Sequence, residues 1–440
     1  MIITDTCYGV IPLRRKNGDQ EQQQEWEILV IQHLKGEHWA FPKGHPEPNE
    51  TALESAKREL HEETGLVIDT LLVEQPLTEH YNFENKRGDT INKSVHYFLA
   101  QVSGTLVLQA EEVKDSRWVP INDAHTLLTF DAAKNLLKSA IDALHQHSIN
   151  DKMLDSFHAN KHLIIDSHSH IHEDVDNLEF ADIKLPLHCT WLMGTTVDDW
   201  TRVNRYGDRL GTRTIRCFGV HPWFVHLVHP PKELLDTNPE QDPTKMVSDT
   251  YPTVINTAWP DQLRQQLTQY PNAMVGEIGV DRVTKCRATG KNEQAEQWIV
   301  FDQLIKIAVE FNRLVSLHCV QLHGKLLDYF IALPIDQMPR KIALHTFSGK
   351  PSTVDSFAKM KTKGNRFYFG ISFINLSSSK VYKMIKSIPD DRLLLESDQN
   401  TPLEAESSIL DVVMAICKAK EWTVEQTITI TRQNAIEFQA

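Results

Sequence analysis

The stretch Gly44 to Leu66 reads GHPEPNETALESAKRELHEETGL and constrains its own fold more tightly than any other part of the chain. Thr51-x-x-Glu54 has the form of a capping box, so a helix is expected to begin just after Thr51. Gly65 is placed to end that helix, just past its C-cap. At about 100° per residue, Glu59, Glu62 and Glu63 fall on one face, within roughly 100° of each other. Leu53, Ala56 and Leu60 form the adjacent apolar stripe, which predicts packing on a core. Like charges at these spacings destabilise a helix by a few tenths of a kcal/mol each. A bound divalent cation reverses that sign, because hard cations such as Mg²⁺ take oxygen ligands. Arg58, four residues before Glu62, is placed to hold that carboxylate. The competing reading is a solvated acidic face, which the full pattern of the stretch outweighs.

That pattern is Gly-x5-Glu-x7-Arg-Glu-U-x-Glu-Glu-x-Gly-U, with U aliphatic, carried by Gly44, Glu50, Arg58, Glu59, Leu60, Glu62, Glu63, Gly65 and Leu66. It resembles a Nudix box, the metal-binding loop and helix of enzymes that hydrolyse nucleoside diphosphates linked to another group. The resemblance implies an α/β/α sandwich over residues 1–147, with Mg²⁺ or Mn²⁺ held by Glu59, Glu62 and Glu63. Glu62 and Glu63 would also be catalytic. The preceding Trp39-Ala40-Phe41-Pro42-Lys43-Gly44-His45 is similar to the asymmetrical bis(5′-nucleosyl)-tetraphosphatases, which split diadenosine tetraphosphate. From that family come Lys43 and Lys93 as phosphate contacts and Tyr97 as a base contact, with strand core the other reading of Tyr97. Trp39 is open in the same way, core or base-facing. Glu112, six residues before Trp118, is carried over as a further metal ligand.

At 440 residues the chain is too long for one ordinary core. A formal net charge of −13 argues against a surface that binds nucleic acid throughout, and leaves room for a local basic groove. Six scattered cysteines without a C-x-x-C pair predict reduced thiols, in the cytosol or nucleus. No signal-like segment or membrane-length apolar run is expected. Cys7–Leu13, Trp26–His33, Leu71–Tyr81 and Lys93–Val102 read as strands, with a polar loop over Lys16–Glu25. Asp123–His147 reads as an amphipathic helical region closing the first domain. Residues 148–161 read as a polar connector, and 162–440 as a second domain.

Leu163-Ile164-Ile165 delivers Asp166-Ser167-His168-Ser169-His170. On a strand, the H-x-H pair points to one face, as chelation of a single ion requires. Apolar runs then recur, each ending in polar or ionisable residues. They lead to Gly194-Thr195-Thr196, His221-Pro222-Trp223, Glu277 to Asp281, His318, His345-Thr346, Ser372 and Glu396-Ser397-Asp398. Helical stretches such as Asn292–Phe311 alternate with them. This is the pattern of a (β/α)8 TIM-type barrel with its chemistry at the strand ends. His229–Pro252 reads as a Pro-rich surface insertion.

The order DSHSH, GVHPW, VGEIGVD, Gln297-x3-Phe301, SLHC, HTFSG and ESD resembles the TatD-type metal-dependent hydrolases across 162–440. FGVHPWFVH, SLHCVQLHG and IPDDRLLLESD look closest to the TatD-related group of fungi. The resemblance implies two divalent ions, Zn²⁺ or Mg²⁺. His168 and His170 would hold one, Glu277 would bridge, and His318 and His345 would hold the other. Asp398 would ligate and act as general base. His221 and His323 are phosphate contacts or structural partners. Gln399-Asn400-Thr401 replaces the family's usual run after Asp398 and leaves the substrate open. A bifunctional hydrolase is implied, cleaving nucleotides in its first half and DNA ends in its second, with no membrane partner. The alternative is a nucleotide or capped-RNA pyrophosphohydrolase joined to a D-aminoacyl-tRNA deacylase. A scaffold with residual sites fits poorly, because binding alone does not call for two complete ligand sets.

Overall fold

The computed structural model describes residues 2–15, 26–85, 87–177, 187–230, 255–286 and 289–440. The polar run 16–25 and most of the insertion 229–252 lie outside them. The chain divides into two compact units, Met1–Lys152 and Met153–Ala440.

In the first unit the strands are β1 (Ile2–Arg15), β2 (Trp26–His33), β3 (Trp39–Ala40), β4 (Lys43–Gly44), β5 (Val67–Leu71), β6 (Leu77–Glu84), β7 (Thr90–Ser103) and β8 (Val113–Pro120). They form one mixed sheet with β1 central, parallel to β7 and antiparallel to β2. Strand alternation splits the core in two. Val10, Leu29 and Phe98 pack with Ala56 and Leu60 of helix α1 (Ala52–Thr64) on one face. Ile11, Val30 and Leu99 pack with Leu136, Leu137 and Leu144 of helix α2 (Asp131–Asn160) on the other. This is the expected α/β/α sandwich. The run Leu71–Tyr81 is not one strand: it breaks between β5 and β6, where Pro76 lacks the N–H a ladder needs. Asp123 begins no α-helix, since Ile121–Thr126 is a 3₁₀ turn. Helix α2 then continues past 147 to Asn160, because no Gly or Pro interrupts 131–160.

In the second unit the strands are β9 (Ile165–Ser169), β10 (Cys189–Met193), β11 (Thr214–Phe218), β12 (Met274–Asp281), β13 (Val315–Val320), β14 (Ile342–Leu344), β15 (Phe367–Ile371) and β16 (Leu393–Leu395). Among the described residues they form an eight-stranded parallel sheet in sequence order. The Asp398 N–H donates to the His168 carbonyl at 2.9 Å, and the Ser167 hydroxyl donates to the Leu395 carbonyl at 3.0 Å, joining the last strand to the first. The described helices are α3 (Trp200–Leu210), α4 (Trp259–Gln269), α5 (Gln294–Glu310), α6 (His323–Ala332), α7 (Pro351–Ala358), α8 (Val381–Ser387), α9 (Pro402–Lys420) and α10 (Val424–Gln439). Alternation again sorts the core. Trp191, Tyr368 and Leu394 belong to an inner cluster, whereas Leu192, Phe369 and Leu395 pack in the larger cluster with helix residues. Phe438 of α10 stacks on Trp191 at 5.3 Å and meets Tyr368 edge-on at 5.0 Å. The ionisable residues stand at the opposite, C-terminal strand ends.

Helix α1 starts in a full capping box: the Thr51 hydroxyl accepts the Glu54 N–H, and the Glu54 carboxylate accepts the Thr51 N–H at 2.8 Å. Gly65 ends it in the left-handed conformation, φ 72°. Thr51→Ala is expected to cost the first unit about 1 kcal/mol, seen as a lower urea midpoint for its transition. An unchanged midpoint would show that packing alone fixes the helix start.

Candidate metal centres

In the first unit Arg58 is a hub. Its guanidinium grips Glu50 through two bonds, at 2.7 and 3.0 Å. It also donates to Glu59 at 2.8 Å, to Glu62 at 2.9 Å and to the His45 carbonyl at 2.8 Å. Glu63 turns inward and is only 1% exposed; its Oε2 accepts the Lys43 backbone N–H at 2.9 Å. Burial pushes the Glu63 carboxyl up to about 8, against the pull of Lys43, with Glu59 and Glu112 adding to the rise. Burial also raises Glu59, and the nearby Glu62 and Glu112 charges add to that despite Arg58. Gly44 lies against the Glu59 carboxylate, where any Cβ would collide with it. No three of Glu59, Glu62, Glu63 and Glu112 have ligand oxygens within 4.8 Å of one another, because Arg58 draws Glu59 and Glu62 to itself.

The proposed substrate contacts divide. Lys93 is nearly buried and donates to Asp5 at 2.6 Å, beside His45 Nε2 at 3.2 Å. Tyr97 is 1% exposed and edge-on to Phe41, the core position of its two readings. Trp39 is half-buried under the Arg117 guanidinium.

In the second unit the two oxygens of Glu277 face different histidines. Oε2 lies 3.3 Å from His168 Nε2 and 3.1 Å from His170 Nε2. Oε1 lies 2.7 Å from His345 Nε2, 2.9 Å from His318 Nδ1 and 3.1 Å from His221 Nε2. Asp398 Oδ1 stands 3.8 Å from His168 and 3.7 Å from His170. The outward nitrogens of three of these rings are anchored, whereas His345 Nδ1 is buried without a partner. His170 Nδ1–H donates to the Met193 carbonyl at 2.9 Å, His168 Nδ1 meets the Ser316 hydroxyl at 3.1 Å, and His318 Nε2–H points to Asp281 at 3.3 Å. His221 Nδ1 accepts the Trp223 N–H at 3.2 Å, so its Nε2 carries the proton that Glu277 accepts. His323 stands apart, with its ring against Phe347 at 5.1 Å.

Burial opposes a charge on Glu277, but His221, His345 and His168 hold its carboxyl well below the usual range. Burial also opposes charge on His170 and His318. Hydrogen bonds and carboxylate charges outweigh it, from Glu277 and Asp398 at His170 and from Asp281 and Glu277 at His318. They keep these rings at about 10 and about 9. The cluster opens into a cavity of about 1070 Å³ lined by His170, His221, Glu277, His318, His345 and Asp398 among others.

A family model described as TatD related DNase matches residues 165–439, and one described as NUDIX domain matches residues 8–139. The chain belongs to the TatD family and carries a Nudix domain ahead of it. Over 333 residues it is 25% identical to Cut9-interacting protein scn1 of Schizosaccharomyces pombe, covering 62% of this chain and 98% of that one. It is 24% identical over 261 residues to the uncharacterized deoxyribonuclease YMR262W of Saccharomyces cerevisiae, covering 53% of this chain and 83% of the relative. The Nudix part is 32% identical over 133 residues to the asymmetrical bis(5′-nucleosyl)-tetraphosphatase of Rattus norvegicus, covering 30% of this chain and 88% of that enzyme. Both families are hydrolases that depend on divalent metal.

The TatD residues fit two such ions. Each oxygen of Glu277 faces its own set of histidines, Oε2 toward His168 and His170 and Oε1 toward His318 and His345. Orienting partners on the far ring nitrogens are what metal-binding histidines require. Glu59, Glu62, Glu63 and Glu112 offer the carboxylate oxygens that a hard cation takes, and Arg58 holds Glu59 and Glu62 until a cation competes for them.

Sequence reasoning did not assign Asp281, which orients His318, or Thr346, whose hydroxyl donates to Asp398 Oδ2 at 2.7 Å. Both sit inside motifs already singled out, VGEIGVD and HTFSG. It also missed the buried His172–Asp199 pair, 3.0 Å apart, whose Asp199 carboxylate accepts the Thr195 N–H.

Asp281→Asn is expected to weaken Mn²⁺ or Zn²⁺ binding to the full chain by about 10- to 100-fold, read by titration calorimetry. Unchanged affinity would mean that His318 needs no orienting anion. Gly44→Ala should leave the fold intact, since the colliding Glu59 carboxylate is the far end of a flexible side chain and can shift with Arg58. It should weaken Mg²⁺ binding to the Nudix helix, and unaltered Mg²⁺ binding would remove Glu59 from the ligand set.

Proposed function

We propose that the chain is a two-site hydrolase. The Nudix site cleaves dinucleoside polyphosphates such as diadenosine tetraphosphate with Mg²⁺ or Mn²⁺. The barrel hydrolyses phosphodiesters at the ends of single-stranded DNA with two divalent ions, Zn²⁺ or Mg²⁺. The observation that carries the barrel reading is Glu277, one oxygen toward His168 and His170 and the other toward His318 and His345. A bound divalent pair makes water nucleophilic and stabilises both the attacking and the leaving oxygen.

The chain's own residues do the rest. Asp398 is held at Oδ2 by the Thr346 hydroxyl, leaving Oδ1 toward the cluster to take the proton of the attacking water. Thr346 is itself fixed by its N–H to Glu396 at 2.8 Å and by Ser372 at 2.8 Å. His221 donates its Nε2–H to Glu277 and so steadies that carboxylate beside the same centre. In the Nudix site Glu63 accepts the Lys43 backbone N–H and would hold the cation, and the Lys43 ammonium would meet a substrate phosphate as a point charge. The similarity to the rat tetraphosphatase supports the dinucleotide substrate. All six cysteines are free and buried, which supports a reducing compartment, cytosol or nucleus. Among the described residues no helix is long and apolar enough to cross a membrane.

With Mg²⁺, the full chain is expected to convert diadenosine tetraphosphate to ATP and AMP. Glu63→Gln should lower that turnover at least about 100-fold while sparing DNA cleavage. His318→Ala should do the reverse. Loss of both reactions from either substitution in folded protein would show that the sites are coupled. Cleavage of D-aminoacyl-tRNA but not of DNA would keep the metal centre and replace the barrel's substrate.

A further inference from the structure

The barrel mouth carries an aromatic surface on one side and unpaired cations on the other. Trp223 lines the cavity and is 49% exposed, although its indole is held firmly. Its Nε1–H donates to Asp281 at 2.8 Å, and its ring meets His221 edge-on at 4.9 Å. An indole fixed by a hydrogen bond and half open to solvent beside the metal centre is a preformed stacking platform. Lys350, Lys380 and Lys383 line the same cavity, all exposed, and none has a carboxylate partner among the described residues. In a chain of net charge −13, three unpaired ammonium groups in one cavity mark a local anion site. Barrel order sets the two features apart. Trp223 follows β11, the third strand, whereas Lys350 follows β14 and Lys380 and Lys383 follow β15, the sixth and seventh. The cluster around Glu277 lies at the strand ends between them.

We propose that the mouth is a single-stranded DNA subsite, in which the terminal base stacks on Trp223 and the following phosphates run along Lys350, Lys380 and Lys383. This rests on the reading of the barrel as a DNA-end hydrolase and adds how the strand is held. A phosphate alone would use the lysines but leave the indole without a role. A duplex end would offer its terminal base already paired.

The test is fluorescence anisotropy of labelled oligothymidylates of increasing length on the full chain in EDTA, across a salt series. Affinity should rise over the first few nucleotides and then level. Each lysine neutralising a phosphate contributes about 0.7 to the slope of log K against log salt on single strands. K350A/K380A/K383A should therefore flatten that slope by about 2, and the matching Lys→Arg variant should restore it. Trp223→Ala should lower affinity about tenfold or more at every salt, with the slope unchanged, and Trp223→Phe should keep most of the binding.

An unchanged slope in the lysine variant overturns the phosphate track. Equal losses in Trp223→Phe and Trp223→Ala overturn the platform, because the indole then acts through Asp281. Stronger binding of folded tRNA than of these oligomers overturns the subsite as a whole. Oligomers that bind in this pattern but are not cleaved when metal is supplied would sink the nuclease reading and leave the subsite. Cleavage without the lysine or tryptophan dependence would do the opposite.

Discussion

Glu277 stays ionised at 2% exposure only because histidines face both of its oxygens. A lone buried carboxylate would cost several kcal/mol, a large share of the roughly 5–15 kcal/mol that stabilises a domain. The compensating groups come from four other strands: His168 from β9 and His170 just after it, His221 after β11, His318 from β13 and His345 after β14. The barrel is the device that brings those strand ends to one point. Its backbone accommodates the crowding, since Gly219 packs so closely on the Glu277 peptide that a Cβ would overlap it. Asp398 and Thr346 take positive φ, 53° and 41°, at the ends of their strands. Backbone strain of this kind persists only where the surroundings over-determine it.

The Nudix helix meets a related problem by other means. Its carboxylates lie on one helix, so backbone geometry brings them together without any closure of strands. Arg58 then supplies the local countercharge to Glu50, Glu59 and Glu62. Glu63 lies beyond that reach, on the buried side, and it is the carboxyl pushed up to about 8. A helix surface with a resident arginine holds its acids apart. A barrel mouth with a single central carboxylate gathers its bases inward.

Much of this was legible in the chain. The capping box at Thr51, the helix end at Gly65 and the H-x-H of β9 follow from spacing alone, because each depends on neighbours in sequence. What was not legible depends on register or on the third dimension. Pairing of Asp281 with His318 requires β12 and β13 to lie side by side with Gly279 opposite His318. Alternation along β7 sorts residues into two faces but does not say which face is core, so Tyr97 stayed open until packed against Phe41. Lys350 lies thirty residues before Lys380 and thirty-three before Lys383, and net charge hides all three. Helix α2 runs on because nothing in 148–160 forbids a helix, although its polarity suggested a connector.

If Glu277 joins two divalent ions in one centre, the metal bound per chain will show it. Full-length chain carrying Glu63→Gln, to suppress Nudix binding, would be supplemented with Zn²⁺ or Mn²⁺, freed of excess and analysed for bound metal. About two ions per chain are expected, falling to one or none in the same protein with Glu277→Ala. Fewer than about one ion in the parent, or two that survive Glu277→Ala, would contradict it.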